Sequence, residues 1–88
     1  MEIEITRKFE KQINACKHPR IRNQVAEVIN SVAVADSLSG VKNIKMLKGS
    51  ENSFRIRIGD YRIGVILINN KCVFAAFDHR SALYRYFP

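Results

Sequence analysis

The second half of the chain alternates apolar and polar residues over two stretches, Ser53-Phe54-Arg55-Ile56-Arg57-Ile58 and Tyr61-Arg62-Ile63-Gly64-Val65-Ile66-Leu67-Ile68. Period-two alternation predicts strands. The Gly59-Asp60 pair between them suits a two-residue type II′ hairpin loop, whose first position needs positive φ. That loop sets a register in which Ile58 faces Tyr61, Arg57 faces Arg62, Ile56 faces Ile63 and Arg55 faces Gly64. Phe54, Ile56, Ile58, Tyr61, Ile63 and Val65 then share one face, enough to cover a core. Arg55, Arg57 and Arg62 share the other. Like charges directly opposite on a sheet repel, so keeping Arg57 beside Arg62 implies an anion to hold.

The same reading extends to the remaining chain. Glu2-Ile3-Glu4-Ile5 alternates as a short strand. Thr6 is placed to cap a helix in which Phe9, Ile13 and Cys16 recur at helical spacing. Lys17-His18-Pro19 breaks that helix, and His18 reads as a solvated turn residue. A second helix is expected from about Pro19 to Asp36, with Ile21, Val25, Val28, Ile29 and Val32 as its core stripe and Gly40 just past its end. Val41 to Gly49 is a basic connector that can add a short edge strand. Asn69-Asn70 predicts a second tight turn, and Lys71 to Asp78 returns as the next antiparallel strand. A plain two-residue register there sets Leu67 against Cys72, Val65 against Phe74, Ile63 against Ala76 and Arg62 against Phe77. It brings His79 to the end of Arg62's face. The expected architecture is α+β, in the order β-α-α-β-β-β, with two N-terminal helices on one face of a small antiparallel sheet and the basic face left open.

With 88 residues, one small domain spanning 1–88 is expected. Fifteen Lys and Arg against eight Asp and Glu give +7, a balance that favours an acidic partner. Two cysteines, Cys16 and Cys72, make neither a disulfide framework nor a CxxC site, and read as buried thiols in a reducing cytoplasm. There is no signal-peptide pattern, and the longest apolar run is too short to span a bilayer, so a soluble intracellular protein with no membrane partner is expected.

An arginine cluster with a histidine and rim tyrosines suits a phosphodiester. Guanidinium groups fork onto phosphate oxygens and stabilise charge developing there. Histidine can move the proton of a ribose 2′-hydroxyl or of a leaving oxygen. Tyrosines stack on unpaired bases. No set of Asp, Glu, His and Cys reads as a metal site and no cofactor motif is present, so RNA cleavage through the 2′-hydroxyl is the natural reaction. Binding without cleavage fits the same residues, because phosphate contacts position a ligand without implying catalysis.

Three segments carry a resemblance. Lys45-Met46-Leu47-Lys48-Gly49, then Phe54-Arg55-Ile56-Arg57-Ile58-Gly59-Asp60-Tyr61-Arg62, then His79-Arg80-Ser81-Ala82-Leu83-Tyr84 resemble the RelE/ParE toxin superfamily of bacterial toxin–antitoxin modules. The resemblance implies a ribosome-dependent mRNA endonuclease that inhibits translation and is held inactive by a cognate antitoxin. The pair would form a hetero-oligomer that binds operator DNA through the antitoxin. By motif, Arg57 and Arg62 would grip the scissile phosphate, His79 or Arg80 would take the acid or electrostatic role, and Tyr84 would stack on or position the mRNA. Arg55, Lys45 and Lys48 would contact RNA backbone, with Arg85 and Tyr86 in the basic, aromatic tail beside them. Ile66, Ile68 and Val73 form an apolar strip suited to an antitoxin segment, or to packing under the tail. Glu51, in the loop before the hairpin, is the nearest carboxylate in sequence and carries little weight as a base.

Two departures from the superfamily pattern stand out. The few residues after Tyr84 leave no room for a long C-terminal helix, and Gly64-Val65 replaces a bulkier pair, which changes the floor beside the arginines. Two other functions fit the same scaffold: a ParE-like toxin that poisons DNA gyrase without cutting RNA, and an inactive nucleic-acid-binding domain.

Overall fold

The computed structural model describes residues 1–88. Strand β1 (Glu2–Ile5) leads into helices α1 (Arg7–Ala15) and α2 (Pro19–Val34), and then come strands β2 (Ile44–Met46), β3 (Ser53–Ile58), β4 (Tyr61–Ile68) and β5 (Lys71–His79). The strands form one five-stranded sheet in the order β1-β5-β4-β3-β2. The class and element order match expectation, with the connector's edge strand present as β2. The sheet is mixed, because β1 pairs parallel to β5 after the two-helix crossover.

Local chemistry explains the corners. Thr6 accepts the Phe9 N–H at 3.2 Å as the α1 cap, and its hydroxyl donates to the Phe74 carbonyl at 2.8 Å, tying the β1–α1 corner to β5. Gly59 has φ +56°, as the first loop position of the β3–β4 hairpin requires, and Asn69 and Asn70 both take positive φ in the β4–β5 turn. Helix α2 stops earlier than expected. Its C-cap is Ala35, and Gly40 ends a separate 3₁₀ turn, Leu38–Gly40, rather than capping α2.

The core lies between the helices and one face of the sheet. Phe9 of α1, Cys16 at its C-cap, and Val25 and Val32 of α2 meet Ile56, Ile58, Ile63, Val65, Cys72, Phe74 and Phe77. Phe9 meets Phe74 edge-on at 5.4 Å.

The β3–β4 register is the expected one at every pair. The β4–β5 register is not. Leu67 opposes Cys72 and Val65 opposes Phe74, but past a bulge at Gly64/Val65 the pairs become Gly64–Ala76, Ile63–Phe77, Arg62–Asp78 and Tyr61–His79. Ala75 is the extra residue. The bulge lets Phe74 and Phe77, three apart, both point into the helix-side core, where an unbroken strand would send them to opposite faces.

A 3₁₀ turn at Leu83–Arg85 then carries the C-terminal residues across the far face. Leu83, Phe87 and Ala76 form a second small buried cluster, with Leu47, Ile66 and Ala75 packed against it. The face expected to stand open is thus partly covered by the chain's own tail.

Candidate nucleic-acid interface

Two rows of side chains cross the far face at the hairpin end. Lys45, Arg55, Gly64 and Ala76 make one row, and Arg57, Arg62 and Asp78 make the next. The rows lie about 7 Å apart, two residues along a strand. Phe87 fills the space that Gly64 leaves empty.

The Arg55 and Arg62 side chains are held by carbonyls, not by carboxylates. Arg62 donates through Nη1 to the Gly59 and Tyr61 carbonyls, both at 2.9 Å. Arg55 donates to the Asn43 carbonyl at 2.8 Å, and the same oxygen accepts the Arg57 backbone N–H at 3.1 Å. Asn43 can aim its carbonyl this way because it adopts φ +62°, which asparagine tolerates. The molecule's two ion pairs are elsewhere or at the margin: Lys71 with Glu4 at 2.9 Å and exposed Arg80 with Asp60 at 3.8 Å. Arg55, Arg57 and Arg62 therefore keep their full charge available to a ligand.

The bulge moves His79. It stands across from Tyr61 on the helix-side face, its ring edge-on to Tyr61 at 5.7 Å, and Asp78 occupies the position opposite Arg62. The expectation that His79 shares Arg62's face is corrected by this one-residue shift. Tyr61 stacks flat on Phe77 at 5.1 Å and 3°, so it forms a half-buried wall of the core. The Ser81 backbone N–H donates to His79 Nδ1 at 3.2 Å. In the neutral ring Nδ1 is then the acceptor and Nε2 carries the proton. Arg80 is anchored to the hairpin tip by its N–H on the Asp60 carbonyl at 2.8 Å.

In the tail, Tyr84 is half exposed, next to fully buried Leu83 and exposed Arg85. Tyr86 is engaged at its hydroxyl and on one ring face. Its hydroxyl donates to Asp78 Oδ2 at 2.9 Å and accepts from Gln12 Nε2 at 2.7 Å, while the Lys8 ammonium sits 3.9 Å above its ring. Burial chiefly pushes the Tyr86 phenol above its usual range; the Gln12 hydrogen bond opposes this and Asp78 reinforces it. Lys45 and Lys48 are exposed. Of the apolar strip, Val73 is buried, Ile66 packs on the tail cluster and Ile68 is exposed.

Asn43, Asp78 and Gln12 shape this surface and escape a reading by motif. Gln12 lies on α1. Its Oε1 accepts the Phe77 N–H at 2.9 Å, on the stretch of β5 that runs beyond β1.

A cleft of about 460 Å³ lies between α1, α2 and β1 and is lined by Ile5, Phe9, Ile13 and Val25 among others. It is remote from the arginines, whose face is an open surface suited to an extended chain. No three of the His, Cys, Asp and Glu side chains converge as a metal-binding group. No helix is long and apolar enough to cross a membrane.

No protein-family model matches the sequence. The chain is 38% identical over 69 residues to Toxin RelE3 of Methanocaldococcus jannaschii, covering 77% of this chain and 78% of that one. Its backbone superposes on a chain of the RelB–RelE antitoxin–toxin complex from Methanococcus jannaschii with TM-score 0.80 and 28% identity, over 97% of this chain and 99% of the other. The archaeal RelE–RelB complex of Pyrococcus horikoshii shares the fold at TM-score 0.74 and 14% identity, over 92% and 96% of the two chains. With a curated relative this similar over most of both lengths, and a backbone that superposes on a RelE-containing complex at TM-score 0.80, the chain belongs to the RelE family of toxins.

Proposed function

We propose that this protein is the toxin of a toxin–antitoxin pair and cuts mRNA on the ribosome, and that a RelB-like antitoxin is its partner. One observation carries the nuclease reading: Arg55, Arg57 and Arg62 lie on one exposed sheet face with no carboxylate partner. A like-charged cross-strand pair costs stability and is retained where an anion repays it. The antitoxin reading draws its support from the relatives, which were solved as antitoxin–toxin complexes.

The reaction uses the substrate's own nucleophile. The ribose 2′-oxygen attacks the neighbouring phosphorus as its proton passes to solvent water, and the bond to the 5′-oxygen breaks. A 2′,3′-cyclic phosphate and a 5′-hydroxyl result. Arg57 and Arg62 hold the phosphate's non-bridging oxygens and stabilise the extra charge of the transition state. Arg80 adds charge at the hairpin tip. His79, in its imidazolium form, supplies the departing oxygen's proton through a water from the tip's other side. Tyr84 stacks on a base, while Lys45, Lys48, Arg55 and Arg85 follow the backbone. Tyr86, with its hydroxyl and one ring face engaged, supports the site rather than contacting RNA.

The test is induced expression followed by primer extension on cellular mRNA for the wild type and Arg62→Ala. Growth arrest with cuts inside translated codons, both lost in Arg62→Ala, is the expected result. Arrest with intact mRNA would overturn the nuclease reading and point to gyrase, to be measured by supercoiling.

A further inference from the structure

Asp78 and Arg62 are direct cross-strand neighbours of opposite charge on the same face, yet they make no ion pair. Directly opposed side chains start about 5 Å apart at Cβ, well within reach of a carboxylate and a guanidinium. Such a pair is ordinarily favourable. Its absence has a visible cause in the partners of Asp78.

Each oxygen of that carboxylate is engaged by another donor. Oδ1 accepts the His79 backbone N–H at 2.8 Å, and Oδ2 accepts the Tyr86 hydroxyl at 2.9 Å. The Tyr86 hydroxyl is itself fixed by Gln12 Nε2 at 2.7 Å, and Gln12 is anchored through Oε1 to the Phe77 N–H at 2.9 Å. Lys8, one turn before Gln12 on α1, covers the ring. The carboxylate is thereby drawn outward to the free edge of β5, while Arg62 turns the other way onto the Gly59 and Tyr61 carbonyls at the hairpin tip. Burial raises the phenol's pKa, so the hydroxyl stays a donor at neutral pH.

We propose that Tyr86 is a positioning residue that acts through Asp78: by holding that carboxylate at the sheet edge, braced by Gln12, it keeps Arg62 from being neutralised and leaves it free to take RNA phosphate. The inference rests on the reading of Arg62 as a phosphate ligand. It assigns Tyr86 and Gln12 a role that touches no RNA. Removing the hydroxyl frees Oδ2, whose residue stands directly across the strand pair from Arg62.

The test uses the full-length protein, released from its complex, with a short single-stranded RNA carrying 2′-O-methyl ribose at every position to prevent cleavage. Affinity and its salt dependence are measured for the wild type, Tyr86→Phe, Asp78→Asn, the double variant and Arg62→Ala. The Arg62 side-chain N–H resonances are followed alongside. Tyr86→Phe retains the ring and its Lys8 contact. It should weaken binding about tenfold, the scale of one charge-assisted hydrogen bond, and flatten the salt slope by about 0.7, one phosphate on a single strand. Its Arg62 resonances should shift. Adding Asp78→Asn should restore affinity, slope and resonances together, and Asp78→Asn alone should bind at least as tightly as wild type. Wild-type binding by Tyr86→Phe, or a loss that Asp78→Asn leaves unrepaired, would overturn the proposal in favour of a merely structural tyrosine. Unchanged binding by Arg62→Ala would instead overturn the phosphate reading. The resonances would then still report whether the carboxylate moves when the hydroxyl is removed.

Discussion

The Phe87 ring lies over Gly64 so closely that a Cβ at residue 64 would come within 2.7 Å of two of its carbons and 2.9 Å of a third. Gly64 is in the middle of a strand, where glycine weakens the sheet by leaving nothing to pack. The tail supplies what glycine lacks, because Phe87 is buried there with Ala76 and Leu83. Gly64→Ala should therefore destabilise by about 1–3 kcal/mol, the usual scale of overpacking, measured by urea unfolding. Phe87→Leu in the same background should recover part of that loss, making the two changes non-additive. Wild-type stability in Gly64→Ala would mean that the ring is not seated as described.

That contact also shows how far the chain could be read before folding. The first hairpin was legible because alternation is unbroken and Gly59 marks its turn, and every pair in it falls where the pattern puts it. Beyond Val65 the pattern is silent: Val73-Phe74-Ala75-Ala76-Phe77 is apolar throughout, with no polar residue to mark a bulge. The one available clue was the three-residue spacing of Phe74 and Phe77, two large side chains that both need the core. Missing the bulge moved His79 to the wrong face and hid Asp78, which a plain register turns away from Arg62. The arginine row depended only on the first hairpin and was legible in full. The tail was half legible, its apolar strip suggesting a cover without showing that Phe87 supplies it through Gly64.

Arg57 and Arg62 oppose each other with no acid between them, so function and stability pull apart at this pair. Arg57→Gln should raise the urea midpoint, by about 0.5 kcal/mol in free energy, and more at low salt than at high. It should also slow mRNA cleavage about 100-fold, the scale of losing one preorganised donor to transition-state charge. A variant that loses stability would show that the repulsion is already relieved within the protein.

The Cys72 thiol is buried, and desolvation pushes its pKa up to about 11. In the unfolded chain a cysteine titrates near about 8.5. The folded state thus favours the protonated form: its contribution to stability is complete below about pH 8.5 and is lost as pH rises through about 11. Stability measured by urea should accordingly fall between pH 8 and pH 11, and less so in Cys72→Val. Alkylation by iodoacetamide at pH 8 should leave Cys72 unmodified until the protein unfolds. Rapid modification of the native protein at this position would contradict its burial.

His79 and Arg62 lie on opposite faces at the same end of the sheet, so their loss should separate binding from chemistry. Arg62→Ala should lose affinity for an uncleavable RNA and cleavage together. His79→Ala should cut about 100-fold more slowly, within the range of general acid catalysis, while binding the uncleavable RNA as wild type does. Equal cleavage by His79→Ala and wild type would remove histidine from the reaction and leave the electrostatic work to the arginines.

Tyr84 offers a half-exposed ring, and its hydroxyl makes no hydrogen bond within the protein. Stacking on an unpaired base depends on the ring, and is worth about 1–3 kcal/mol by truncation to alanine. Tyr84→Phe should therefore bind a short single-stranded RNA within about twofold of wild type, whereas Tyr84→Ala should lose about tenfold or more. The neighbouring Leu83 is fully buried and anchors the backbone, so both variants should keep wild-type stability. If Phe were as deficient as Ala, the hydroxyl and not the ring would be the working group, contacting phosphate or moving a proton. If Ala bound like wild type, the base would lie elsewhere, and Arg85 and Lys48 would be the remaining candidates for guiding the strand across the arginine face.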